Sequence, residues 1–344
     1  MAVTAIEPVA GDLSPPEPQR WQPRARQGAR AEVDPNHQVR LCQNSITYQA
    51  CTFTVAAHDP HPLCISCRQT RMLPDLSIPE NVPRWIRIES AKRRLLYSLL
   101  RLGLAHPSET DGPVYQFLAD LPGHPPVMTG HENGVITLNV LEADDDERAR
   151  RRVQLREPYR TLLGHLRHES GHYYWDRLVR DDDACLMAFR HVFGDERQDY
   201  VQALQAHYAG GNRRDAWEHA HVSAYATAHP WEDWAETWAH YLHMTDLLET
   251  AAAYQTRIVM PGSQTGDATC PSDPFDLAHG SFDASIAQWV PVTLLLNSLN
   301  RSLGHDDAYP FALGAQALDK LRFVHDVIAR HSLARTSGHN ARGH

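Results

Sequence analysis

The chain is 344 residues long, about twice a typical single domain, with 42% apolar and 22% charged residues, which excludes a wholly disordered or fibrous protein. Lys and Arg total 33 against 42 Asp and Glu, so the formal net charge of −9 leaves no global footprint for phosphate backbones and disfavours nucleic acid as a partner. No apolar run reaches the length of a membrane span; the best, Trp289 to Leu296, is short and interrupted by Pro291 and Thr293.

Residues 1–40 hold six prolines, balanced charges and no periodic apolar pattern, which predicts a disordered tail. Glu7 and Asp12, with no basic or apolar leader around them, predict a cytoplasmic protein. Cys42, Cys51, Cys64 and Cys67 follow with spacings of 8, 12 and 2 residues. In a reducing compartment such clustered thiols read as metal ligands, and Tyr48 and Thr52 to Val55 supply β-prone runs for a small zinc-stapled unit. Arg84 to Leu104 has apolar residues at threes and fours and predicts an amphipathic helix. Arg68, Arg71, Arg84, Arg87, Lys92, Arg93 and Arg94 form a basic stretch there, either a phosphate-binding surface or a helix's polar face.

Residues 127–140 predict two strands around the turn Glu132-Asn133-Gly134, and Glu142 to Arg156 predicts a solvated helix face. A helix is expected from Pro158 to Val179, others over 183–193 and 196–208 (ended by Gly210-Gly211), one from Pro230 to about Thr250, and two more over 283–303 and 314–331. Asp181 to Asp183 reads as a helix N-terminus, and the end from Ser332 as loose.

Within the helix from Pro158 lies His168-Glu169-Ser170-Gly171-His172. Histidines four apart project from one helical face and can reach one tetrahedral zinc, while Glu169, one position off that face, can reach a water beside the metal as general base. A catalytic zinc needs a third protein ligand and an open position. Glu232 and Glu236, four apart after Pro230, repel unless a cation intervenes, so one carboxylate is expected to bind the metal and the other to accept an N–H from a ligand histidine. Spacing leaves open which does which; the place of Glu232 in the first turn favours it as ligand. Tyr225 is a candidate donor to a developing oxyanion. Trp231, Trp234 and Trp238 read as core anchors, His165 as outer shell or core, and His219, His221, His229, His240 and His243 as ordinary surface or core histidines.

The stretches RTLLGHLRHESGHYYWDRLV, FGDERQDY and SAYATAHPWEDWAETWAHYLH resemble the glutamate-ligated zincins, and more closely the putative zinc-binding metallopeptidase family of bacteria, over roughly residues 40–260. The resemblance implies His168, His172 and Glu232 as zinc ligands, Glu169 as base and Glu236 as outer-shell support. It also implies a zinc-ribbon region upstream, here without the additional CxxC knuckle that family members commonly carry.

The expected fold class is α+β: a zincin-like, mostly helical metallopeptidase domain with a small β-sheet over 76–331, preceded by a zinc-ribbon-like unit over 41–75 and followed by a flexible tail over 332–344. The expected activity is zinc-dependent hydrolysis of a peptide bond, with one catalytic zinc and one structural zinc on Cys42, Cys51, Cys64 and Cys67. A strand near Val135 to Val140 is expected to align the peptide by edge pairing. The partners expected are a peptide or protein substrate and a protein docked on the ribbon, with no membrane. The competing reading is a non-catalytic, zinc-stabilised module that binds protein or nucleic acid.

Overall fold

The computed structural model describes residues 39–105, 112–148, 150, 161–209, 217–262, 266–277 and 280–341, with two strands nearer the N-terminus. The chain divides into two units, Met1–Arg101 with Ala105–Arg150, and Leu102–Leu104 with Arg151–His344. The small sheet and the first long helix thus group with the cysteines rather than with the histidine motif. Most of the tail expected over 1–40 lies outside the described residues, as do Pro158 and Gly210-Gly211.

In the first unit β1 (Ala5–Pro8) pairs antiparallel with β2 (Trp21–Arg24), and β3 (Val39–Leu41) with β4 (Thr54–Ala56). Between β3 and β4 runs the short helix α1 (Gln43–Tyr48). Tyr48 is therefore helical rather than extended: the Cys42 carbonyl accepts the N–H groups of Ser45 and Ile46, and Gln49 closes the helix at φ 55°. A 3-10 turn over Cys67–Gln69 leads directly into β5 (Thr70–Met72). Helix α2 (Asn81–Arg101) buries Trp85, Ile88, Leu95 and Leu99, the stripe expected from its apolar spacing.

The strands β6 (Val114–Leu118), β7 (Gly130–Glu132) and β8 (Val135–Asn139) complete a four-stranded sheet in the order β5-β6-β8-β7. Asn133 and Gly134 link β7 and β8 with φ 49° and 82°, the two positive values that a two-residue hairpin requires. The hairpin forms where the turn signal placed it. However, β8 lies between β6 and β7 with both edges paired, so the edge alignment expected of it fails. Strand β6 is not among the predicted elements: Tyr115 and Phe117 alternate inward, but five residues between loops give too short a pattern. After β8 a 3-10 turn spans Val140–Ala143, and much of the predicted helix over 142–156 lies outside the described residues.

Helices build the second unit. They are α3 (Leu162–Leu178), α4 (Asp183–Phe193), α5 (Tyr200–Ala209), α6 (Pro230–Ala253), α7 (Phe282–Ser302) and α8 (Ala315–Ala341). Local chemistry sets their starts. Thr161 caps α3 by accepting the Gly164 N–H at 2.9 Å, Asp182 caps α4 through Cys185, and His229 caps α6 through Trp231, with Pro230 at its first turn. Helix α8 continues through Ser332 to Ala341, past the point where composition suggested a loose end, since each added residue of a nucleated helix gains a hydrogen bond. Strands β9 (Ile258–Val259) and β10 (Ala268–Thr269) form a small antiparallel pair.

Helices α3 and α6 make the densest contact of this unit, and Gly171 permits it. A Cβ there would lie 3.0 Å from the Ala235 Cα and 3.2 Å from the Trp238 Cβ. Trp234 donates its indole N–H to the Gly171 carbonyl at 2.8 Å, and Trp238 to the Ser170 hydroxyl at 3.1 Å, while both rings are fully buried. Buried Arg167 adds hydrogen bonds to His243 and Asp246. The architecture is mostly helical with small sheets, as expected. No helix among the described residues is long and apolar enough to cross a membrane.

Candidate metal centres

The sulphurs of Cys42, Cys51, Cys64 and Cys67 converge in the first unit, and all four residues are buried. Cys51 Sγ and Cys64 Sγ are 3.6 Å apart, close to the separation of about 3.8 Å that zinc–sulphur bonds of 2.3 Å impose in a tetrahedron. Backbone N–H groups point at the sulphurs: Cys64 at Cys42, Phe53 at Cys51 and Cys67 at Cys64, over 3.3 to 3.4 Å. Such donors suit thiolates. The neighbouring sulphurs of Cys42 and Cys51, and then burial, push the Cys64 and Cys67 thiols up, so four thiolates cannot share this volume without a cation. Phe53, Val55 and Leu96, with partly buried Leu63, Ile65, Leu100 and Ala105, pack around them, a core small for a unit to fold on by itself.

In the second unit the donor atoms of His168, His172 and Glu232 converge. The Nε2 atoms of His168 and His172 lie 3.2 Å apart, and Oε2 of Glu232 lies 3.0 Å from the first and 3.6 Å from the second. Ligand bonds of 2.0 to 2.2 Å in a tetrahedron place donor atoms about 3.3 to 3.5 Å apart. These residues therefore fit a zinc ion. Oε2 is buried and accepts no hydrogen bond among the described residues, and such an atom is costly without a positive partner.

Glu236 accepts a 2.6 Å hydrogen bond from His168 Nδ1 and another of 2.6 Å from the Ser223 hydroxyl. With its proton on Nδ1, His168 turns the lone pair of Nε2 toward the other donor atoms. Burial works against a charged His168, but the carboxylates of Glu232 and Glu236 outweigh it and raise its pKa well above the usual value, so a cation among these donors would take the place of a proton on Nε2. Burial likewise pushes Glu236 up, yet His168 holds it at about 2. Glu169, between the histidines in sequence, is buried beside them.

Tyr225 sits in a 3-10 turn with its ring 6.0 Å from that of His168. Burial, followed by the charge of Glu232, pushes its phenol up, so it stays protonated. Trp234 and Trp238 are core residues as expected, whereas Trp231 is half-buried and lies against the His172 ring at 3.8 Å between centroids. Among the other histidines, His229 caps a helix, His240 meets the Tyr309 hydroxyl at 2.6 Å and His243 meets Arg167. None joins the donor group, nor does half-buried His165.

Tyr200, which no sequence pattern marks, donates a 2.6 Å hydrogen bond to Oε1 of Glu232. Its only sequence signal is its place in FGDERQDY, which no helical or ligand period marks. The basic stretch behind the competing reading is largely committed internally. Lys92 is fully buried against Glu89 at 2.9 Å, Arg93 donates to the Ala50 carbonyl, Arg68 pairs with Asp59 and Arg84 with Asp144, each at 2.6 Å.

A sequence model of the family described as "putative zinc-binding metallo-peptidase" matches residues 81–327, and a zinc-ribbon domain model matches residues 17–78. Three mycobacterial proteins, one from Mycobacterium bovis and two from strains of Mycobacterium tuberculosis, are each 43% identical over 294 residues, covering 84% of this chain and 82% of their own. All three are described as uncharacterised. No solved structure matches. With most of its length matched, the chain belongs to this metallo-peptidase family and carries a zinc-ribbon region ahead of it.

Proposed function

We propose that this family member is a zinc-dependent peptidase in which His168, His172 and Glu232 hold the metal and Glu169 acts as general base. The observation that carries the reading is the convergence of three buried donor atoms at the separations of a tetrahedral zinc site, with one coordination position left over. When bound there, zinc supplies Lewis-acid chemistry, acidifying water and polarising a carbonyl. Glu169 takes the proton from the attacking water and passes it to the departing amine. Glu236 and Ser223 fix the His168 ring from behind. Tyr225, protonated and beside His168, is the candidate donor to the charge that develops on the carbonyl oxygen.

Cys42, Cys51, Cys64 and Cys67 are assigned a second, structural zinc, because four sulphur ligands leave no position for substrate. None of the six cysteines is in a disulfide, which suits a reducing compartment, the cytoplasm. The ribbon, with its own metal and small core, is assigned to binding a protein partner.

The test is hydrolysis of a diverse peptide library by the zinc-loaded protein and its Glu169→Gln variant. The variant keeps the shape but cannot accept the proton, so zinc content should stay unchanged while turnover falls by a factor on the order of 10² or more. Equal turnover in parent and variant sinks the mechanism, and loss of zinc from the variant makes Glu169 a ligand instead of a base.

A further inference from the structure

The phenol of Tyr200 has no part in the roles assigned above. It donates to Oε1 of Glu232 at 2.6 Å, while Oε2 faces the Nε2 atoms of His168 and His172 at 3.0 and 3.6 Å. The two oxygens of one carboxylate thus face different partners. Packing holds the phenol in place. Its ring stands edge-on to His229 at 5.3 Å and to Trp231 at 5.9 Å between centroids, and Trp231 lies in turn against His172. His229 accepts the Trp231 N–H on Nδ1, so its Nε2 carries the proton donated to the Gln198 carbonyl at 3.2 Å. The start of α5 is thereby pinned to the start of α6, and Tyr200 is the first residue of α5.

We propose that Tyr200 is a positioning residue that occupies Oε1 of Glu232 and so reserves Oε2 alone for the metal. The inference rests on the reading of His168, His172 and Glu232 as a metal centre. A carboxylate can bind a cation through one oxygen or two. With both oxygens free, Glu232 can take two positions and fill the one that a catalytic zinc must keep open for water or substrate. A phenol hydrogen-bonded to Oε1 opposes that second bond and aims the first.

The experiment compares the full-length parent with Tyr200→Phe by zinc content, competitive chelator titration and cobalt(II) spectroscopy. For the spectra, the two-histidine site is stripped by chelator and refilled with cobalt while zinc stays on the closed four-cysteine site. Tyr200→Phe keeps the ring and its packing, and retained far-ultraviolet circular dichroism and cysteine-bound zinc confirm the fold. The expected result is two zinc ions in the parent, affinity at the two-histidine site reduced about 10- to 100-fold in Tyr200→Phe, and weaker cobalt d–d absorption as coordination rises from four to five. Para-aminophenylalanine at position 200, which restores a donor at the same place, should restore both readouts. If the parent holds zinc only on its cysteines, the metal-centre reading itself falls. If the parent holds two ions and Tyr200→Phe matches it in affinity and spectrum, or if the amino analogue fails to rescue, the role of Tyr200 is overturned and the metal centre stands.

Discussion

The four-cysteine cluster and the His168, His172 and Glu232 cluster both bring donor atoms to a tetrahedral spacing, but they are assembled in opposite ways. The cysteines lie within 26 residues of one another, on turns whose own N–H groups point at the sulphurs, and only a small apolar cluster surrounds them. The histidines sit on one helix and the glutamate on another, sixty residues away, and a tryptophan-filled helix interface joins them. A cluster built from local turns needs its ion in order to be a structure, whereas one built on packed helices has its geometry beforehand. The second arrangement suits a site that must leave a position open.

Metal removal tests this contrast with the largest expected effect. Extended chelation should unfold residues 41–75, because zinc binding to such small units contributes roughly 10 kcal/mol that their core cannot replace. The helical signal of the second unit should persist. Hydrogen exchange resolved by segment reads both responses, and collapse of the helices on chelation would erase the distinction between the two clusters.

Substitution of the two glutamates sharpens the comparison within the second cluster. Glu232→Ala should abolish tight zinc binding at the histidines, while Glu236→Ala should leave a site weakened by about 10- to 100-fold, the usual result of losing the partner of a ligand histidine. Both variants should retain the cysteine-bound zinc. Chelator competition on the two proteins decides the matter, and the opposite ranking exchanges their roles.

Gly171→Ala addresses the interface that carries the second cluster. The added methyl meets the Ala235 backbone at 3.0 Å, so α3 and α6 must separate, at a cost of about 1 to 3 kcal/mol for overpacking. Denaturant unfolding should show that loss, with zinc affinity at the histidines reduced and the ribbon zinc unaffected. An unchanged midpoint would mean that the close approach of the helices is not required.

The effect confined to the narrowest range of conditions concerns pH. Burial lowers His240 to about 4 from its ordinary 6.5. Between these values the unfolded chain binds a proton that the folded one refuses, so the histidine leaves stability intact above about pH 6.5 and subtracts from it as pH falls toward 4. The loss should be on the order of 1 to 3 kcal/mol across that window. His240→Asn should flatten the slope of unfolding free energy against pH, and an unaltered slope would assign the dependence to other groups.

Much of the candidate site was legible in the sequence because its parts are local. Cysteine spacing, the four-residue interval between His168 and His172, and the helix start at Pro230 each follow from helical periodicity or turn chemistry over a few residues. That one of the two carboxylates accepts an N–H from a ligand histidine also follows from their shared helix face, but that His168 rather than His172 is the donor does not. Periodicity was silent where the partner lies far along the chain. It marked neither Tyr200 on Glu232, nor Ser223 on Glu236, nor Trp231 against His172, and it allowed β8 a free edge that β6 and β7 occupy. Within the basic stretch, charge patterning likewise gives no sign that Lys92, Arg68 and Arg84 are held by Glu89, Asp59 and Asp144. Sequence period sets which face of an element a side chain leaves from; which distant group meets it there is decided by how the elements pack.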